Sequence, residues 1–172
     1  MKWISRIVLG MSVFAFLVVL PQALQAQASG RGTASATIGG THVSIDYGRP
    51  SLNGRDPLSL IHPGDVWRVG ANAPTTIESD KDLDFGGTRV EKGKHILLIR
   101  YVQPGKWELI VSSQSAMQYT PDAKLAEVPM TLTKGEDSTE VMTISLTAKG
   151  NDGVIELAWG TMRLSARFSA AR

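Results

Sequence analysis

The chain has 172 residues, with 18 Lys plus Arg against 16 Asp plus Glu, three histidines and no cysteine. Lacking cysteine, it can form no disulfide staple, thiol nucleophile or thiolate metal site. The charge balance, with no Lys/Arg run, gives no basic footprint for nucleic acid.

Residues 1–28 read as a cleavable signal peptide. Lys2 and Arg6 form a short positive region, Ile7 to Leu20 is a nearly unbroken apolar run, and Pro21 ends it. Ala26-Gln27-Ala28 then offers small residues where a signal peptidase reads, so cleavage is expected between Ala28 and Ser29. A membrane-spanning helix needs about 20 apolar residues, and this run is shorter. The chain is therefore expected in the periplasm or secreted, with no stable membrane anchor after cleavage. Lys2 and Arg6 leave with the signal and no acidic residue does, so 16 charges of each sign remain and the mature chain is neutral. The 144 residues that remain of 172 suit one domain.

Residues 29–33 are glycine- and serine-rich and read as a flexible start; residues 34–172 read as a single β-rich domain. Period-two alternation puts apolar side chains on one face of a strand. It places Val43, Ile45 and Tyr47 together, then Trp107, Leu109 and Val111, then Met142, Ile144 and Leu146. Ile155, Leu157 and Trp159 form another such face, and Met162, Leu164, Ala166 and Phe168 the last. His95 to Val102 is apolar throughout and reads as a central strand. Gly39-Gly40, Gly86-Gly87, Pro104-Gly105 and Asn151-Asp152-Gly153 supply turns, and Gly160-Thr161 is expected to join the last two strands. Only residues 121–127 look helical, with Thr120 as N-cap and Pro121 in the first helical position. The expected fold is all-β and mainly antiparallel: a β-sandwich or barrel-like domain with one short helix near 121–127 and a long central loop.

That loop runs from Asp46 to Thr76, where alternation stops. Long loops in compact domains are usually functional or disordered, and this one carries enough apolar residues to pack. Arg49, Arg55, Trp67, Arg68 and Asn72 are candidate ligand-binding residues, because a guanidinium offers a rigid donor fork and an indole a flat stacking face. The competing reading is structural: Asp46 and Arg68 as a buried ion pair stitching the loop to the sheet, with Arg55, beside the turn-like Asn53-Gly54, left facing a cleft. No catalytic signature is present. There is no His-Glu-x-x-His or Gly-x-Ser-x-Gly segment, and Gly87 to Lys94 lacks the spacing and the Ser or Thr of a phosphate loop. His42, His62 and His95 have no metal-ligand spacing, so neither a metal nor a cofactor is expected.

Asp46-Tyr47-Gly48-Arg49-Pro50-Ser51, Asn53-Gly54-Arg55, Trp67-Arg68-Val69-Gly70-Ala71-Asn72 and Thr75-Thr76 resemble a bacterial family of unknown function, DUF2911. Lys92-Gly93-Lys94-His95 and Trp107-Glu108-Leu109-Ile110 are similar to its later segments, and the resemblance spans about residues 34–168. Val69 stands where the family more often has Thr, and Gly93-Lys94-His95 where it often has Gly-Thr-Tyr. The resemblance implies export and a β-rich fold and brings no activity with it.

Two functions are carried forward. One is a non-catalytic envelope binding or interaction module whose partner is a small molecule, a glycan or an envelope protein. The alternative is a hydrolase of envelope carbohydrate using Asp46, Asp56 or Asp65, which would need two carboxylates at a defined separation.

Overall fold

The computed structural model describes residues 30–172. The signal segment and its cleavage site at Ala28 and Ser29 lie outside the described residues. The strands are β1 (Arg31–Ile38), β2 (Thr41–Gly48), β3 (Val66–Trp67), β4 (Thr76–Ser79) and β5 (Leu83–Phe85), followed by β6 (Thr88–Val90), β7 (Gly93–Gln103), β8 (Lys106–Ser112), β9 (Lys124–Lys149) and β10 (Asp152–Ala170).

All pairings are antiparallel, in the order β1-β2-β4-β7-β8-β9-β10-β5-β6, with β3 paired to β7. The two ends of this order do not pair, so the sheet is open and sandwich-like rather than a closed barrel. β9 makes the layers possible. Its first part pairs with β8 up to Met130, and from Thr131 it pairs with β10. One long bent strand thus belongs to both layers. Between them lie the alternating faces expected from the sequence: Val43, Ile45 and Tyr47, Trp107, Leu109 and Val111, and Met162, Leu164, Ala166 and Phe168 are all buried. Each fully buried large apolar side chain contributes roughly 1.5–3 kcal/mol. Trp67 stacks on Trp159 across the core with ring centroids 6.0 Å apart, and Tyr101 stacks on Trp107 at 4.2 Å.

Three local expectations give way. The helix near 121–127 is only a 3₁₀ turn, Pro121–Ala123. The Thr120 side chain makes no cap bond, and β9 starts at Lys124. Pairing of Lys124 to Met130 with β8 buries Ala126, Val128 and Met130, which a helix there would not do. Gly160-Thr161 is no turn between two strands. β10 runs through it with Gly160 at φ 60, as an irregularity in the ladder opposite β9. Arg163 spans the distortion, donating to the carbonyls of Gly160 and Asp137 at 2.9 Å. Finally, β1 begins within the stretch read as a flexible start: Arg31 pairs with Gly48, and Arg49 N–H donates to Gly30 O at 2.8 Å.

At one end of the sandwich β10 returns to its own beginning. Ala170 N–H donates to Asn151 O at 3.0 Å, Asn151 Nδ2 donates to Ala170 O at 2.8 Å, and Gly39 N–H donates to Gly150 O at 2.8 Å. The β6–β7 turn is closed by Asp82, which accepts from Lys92 N–H at 2.8 Å and Arg89 Nε at 2.7 Å. These bonds, the Lys92 amide foremost, hold the Asp82 carboxyl below its ordinary pKa.

Candidate functional site

The two short strands β3 and β4 lie along the same edge of β7. Trp67 is opposite Ile99 and Thr76 opposite Ile96, while Leu97 N–H donates to Thr75 O at 2.9 Å. They therefore read as one strand interrupted by an excursion, residues 68–74, that leaves the ladder opposite Leu98. The rest of the long loop is ordered too: Asp46–Gly48 complete β2, and Pro57–Leu60 form a 3₁₀ turn capped by Asp56, whose carboxylate accepts from Leu58 N–H at 3.1 Å.

The excursion is held by close backbone packing, by polar side chains bonded to its carbonyls and by one buried side chain, Val69. Gly48 has no Cβ, and the Ala71 backbone occupies the space that one would need. Thr75 Oγ1 donates to Val69 O at 2.5 Å. Arg31 binds Asp46, with Nε 2.7 Å from Oδ1, and its Nη1 and Nη2 donate to Ala73 O at 3.4 Å and Pro74 O at 3.3 Å. The backbone turns sharply under these restraints: Val69 has φ 54, Gly70 142 and Asn72 63. A β-branched residue at positive φ is a true outlier, held at a cost of roughly 1–3 kcal/mol. Val69 is nonetheless buried in the core.

The candidate residues part company at this point. The expected Asp46–Arg68 pair does not form: Arg31 takes the Asp46 carboxylate, and Arg68 is exposed. The cause is strand alternation, which turns Trp67 inward onto Trp159 and Arg68 outward. Arg55 does not face a cleft. It folds back on its own loop, donating to Leu52 O at 2.9 Å and Ser51 O at 3.0 Å. Arg49 is half-buried with Nε 3.4 Å from Met142 O, so it fastens the end of β2 to β9. Arg68 and Asn72 are the two candidates that share a cavity.

That cavity is a groove of about 230 Å³ on the outer face of the sheet. On one side are Arg68, Asn72 and Pro74; on the other is the segment after β8, with Ala116 and Met117. Leu98 lines it too, pointing away from the core that Leu97 and Ile99 fill, and it is fully buried. The segment after β8 is folded back by bonds from Ser113 N–H at 2.9 Å and Ser112 Oγ at 3.2 Å, both to Ala123 O. Met117 stands 91% exposed, a flexible apolar side chain at the mouth. Among the described residues the side chains of Arg68 and Asn72 have no hydrogen-bond or ion-pair partner. Farther along the same face, Arg100 is taken by Glu108 at 2.6 Å and Glu127 at 2.9 Å. The hydrogen bonds that Arg100 donates to Glu108 raise its pKa above the ordinary guanidinium value.

Larger depressions exist, about 540 Å³ beside Asp84, Asp152 and Arg172 and about 480 Å³ between Leu58 and Met162. The first mixes charges of both signs among turns. The second has Asp56 at its edge, committed to capping its own turn. The sequence singled out Arg68 and Asn72 but missed Leu98, Met117 and the clamp Arg31. Leu98 was discernible in the unbroken Leu97-Leu98-Ile99 run, which buries both faces of β7.

Because Arg68 is exposed and unpartnered, Arg68→Ala should leave the melting temperature within about 2 °C of wild type, the range of ordinary surface substitutions. Thermal melting checks this, and a fall near 10 °C would restore the structural reading of Arg68.

Among the described residues, no group of three or more His, Cys, Asp or Glu side chains is placed to hold a metal ion. A family model described as "Protein of unknown function (DUF2911)" matches residues 29–168. No curated protein and no solved structure matches the chain.

Proposed function

We propose, from the premise that this chain belongs to the DUF2911 family of proteins of unknown function, that it is an exported, non-catalytic binding module whose ligand occupies the groove beside Arg68. The observation that carries this reading is the pair of unpartnered polar side chains, Arg68 and Asn72, on a restrained loop over an apolar floor. Pockets that combine an apolar lining with a few convergent polar groups are the usual form of a binding site. A strained loop fixed before the ligand arrives also lowers the ordering cost of binding. The carboxylates considered for hydrolysis have other duties: Asp46 holds Arg31, Asp56 caps a turn, and Asp65 accepts from His62 N–H at 2.8 Å.

Export rests on the Lys2–Ala28 pattern. With the full chain expressed in a Gram-negative host, the periplasmic product should begin at Ser29. A product that begins at Met1 and stays in the inner membrane overturns export. For binding, that product is titrated with a set of small acids, alcohols and sugars while the Met117 methyl resonance is followed by NMR. At least one compound should shift it in the wild type and leave it in place in the Arg68→Ala/Asn72→Ala variant. Compounds that bind only elsewhere on the sandwich overturn the groove as the site.

A further inference from the structure

The charge and shape of the groove narrow what it takes. Among the described residues Arg68 is the one charged residue in its lining, so the site presents a single positive charge. The neighbouring charges on this face of the sheet are already committed. Glu108 and Glu127 hold Arg100, and Lys106 and Lys124 approach those same carboxylates at 3.6 and 2.9 Å. Among the described residues no acidic side chain lines the groove to meet Arg68, and no second cation is there to match a dianion.

The guanidinium fork fits the two oxygens of a carboxylate, and the Asn72 amide adds a donor and an acceptor at the same rim. Below and beside them lie Pro74, Ala116 and Met117 above the buried Leu98, and the Ser115 hydroxyl is a further polar side chain, donating to Gln118 Oε1 at 3.5 Å. A purely polar ligand such as a free sugar would leave its hydroxyls unpaired against that floor, at roughly 1–3 kcal/mol each. At the 20–30 Å³ per atom of a dense liquid, about 230 Å³ holds about ten non-hydrogen atoms.

We infer that the groove binds a monoanionic amphiphile: one carboxylate, held by Arg68 and Asn72, on a short apolar chain or ring lying against Pro74, Ala116 and Met117. This rests on the groove being the binding site, as proposed above. The carboxylate belongs to a free acid or to the C-terminus of an apolar peptide, the same chemistry from two sources.

The test uses the periplasmic product of the full chain, with Met117 methyl NMR as the reading of groove occupancy. The probes are sodium octanoate, 1-octanol, octylammonium chloride, sodium acetate, and the peptides Gly-Leu-Leu with a free and with an amidated C-terminus. Octanoate should saturate with a Kd in the range of about 0.01–1 mM, ordinary for a ligand of this size. It should bind at least tenfold more tightly than 1-octanol, acetate or octylammonium. Arg68→Ala should erase that preference over 1-octanol while 1-octanol itself still shifts Met117. The free-acid peptide binding more tightly than octanoate, and the amide not binding, assigns the carboxylate to a peptide end; the reverse order assigns it to a free acid. If 1-octanol or octylammonium matches octanoate, or Arg68→Ala leaves octanoate binding unchanged, the anionic class is overturned while the groove stands. If no probe moves Met117, the groove itself is overturned.

Discussion

Gly48→Ala is expected to lower the melting temperature by about 10 °C or more. Gly48 is not at positive φ, so the effect is one of space alone. An added Cβ would overlap the carbonyl oxygen of Ala71 and lie 2.7 Å from its nitrogen and 2.9 Å from its carbonyl carbon. These are backbone atoms of the 68–74 excursion, and that excursion is tied down by Thr75 and Arg31. Overpacking costs about 1–3 kcal/mol even where side chains can give. Here the loop itself must lift away, so about 3 kcal/mol or more is expected. At roughly 3–5 °C per kcal/mol for a domain of this size, that is the stated drop. Gly54→Ala is the control: nothing lies within 4 Å of its Cβ, and only its φ of 74 opposes the change. It should cost about 1 kcal/mol. A Gly48→Ala protein that melts within 2 °C or so of wild type would show that the excursion does not sit on β2.

The second large effect belongs to Trp107. It is 2% exposed and stacks on Tyr101. Truncating a buried tryptophan to alanine costs about 3–5 kcal/mol, so the melting temperature of Trp107→Ala should fall by roughly 10–20 °C. Trp107→Phe should be much milder. The buried indole N–H of Trp107 has no hydrogen-bond partner, and removing an unsatisfied buried donor offsets part of the lost packing. Paired thermal melts read the difference. Equal losses in the two variants would mean that the N–H has an acceptor after all.

The alternating strands were legible because each of them buries one face, and β7 because it buries both. Val43-Ile45-Tyr47 and Met162-Leu164-Ala166-Phe168 alternate in the sequence and lie inward in the fold, since period two cannot be satisfied otherwise. Pro121 to Glu127 misled because Pro and Thr at a helix start also suit a 3₁₀ turn, and the pairing with β8 that decides the matter is remote in sequence. Gly160 misled because a glycine ending one alternating run and opening another looks like a turn. The sequence does not show that Thr139 lies opposite it. At the candidate site, residue type drew attention to Arg68, but its direction followed from the register of Trp67 on Ile99. The partner of Asp46 was Arg31, from a segment whose glycines suggested no structure. Arg55 looked exposed and free, yet its own loop supplies two carbonyls within reach of its guanidinium.

The meeting of Gly39, Asn151 and Ala170 also bears on how quickly the chain reaches this state. Gly39 and Gly150 are hydrogen-bonded though most of the domain separates them along the chain. Such a closure must meet its loop entropy before any bond rewards it. Sheets dominated by non-local pairs fold in roughly milliseconds to seconds rather than microseconds. The hairpin of β1 and β2 can form early, since its partners are neighbours. The Gly39–Gly150 bond can form only when that hairpin meets the turn between β9 and β10. For that interval strand edges that β9 and β10 later cover are open to other chains, and unpaired edges are where all-β proteins aggregate. The long ribbon that gives this fold its two layers is thus also the part of the molecule most exposed to misassembly while it forms.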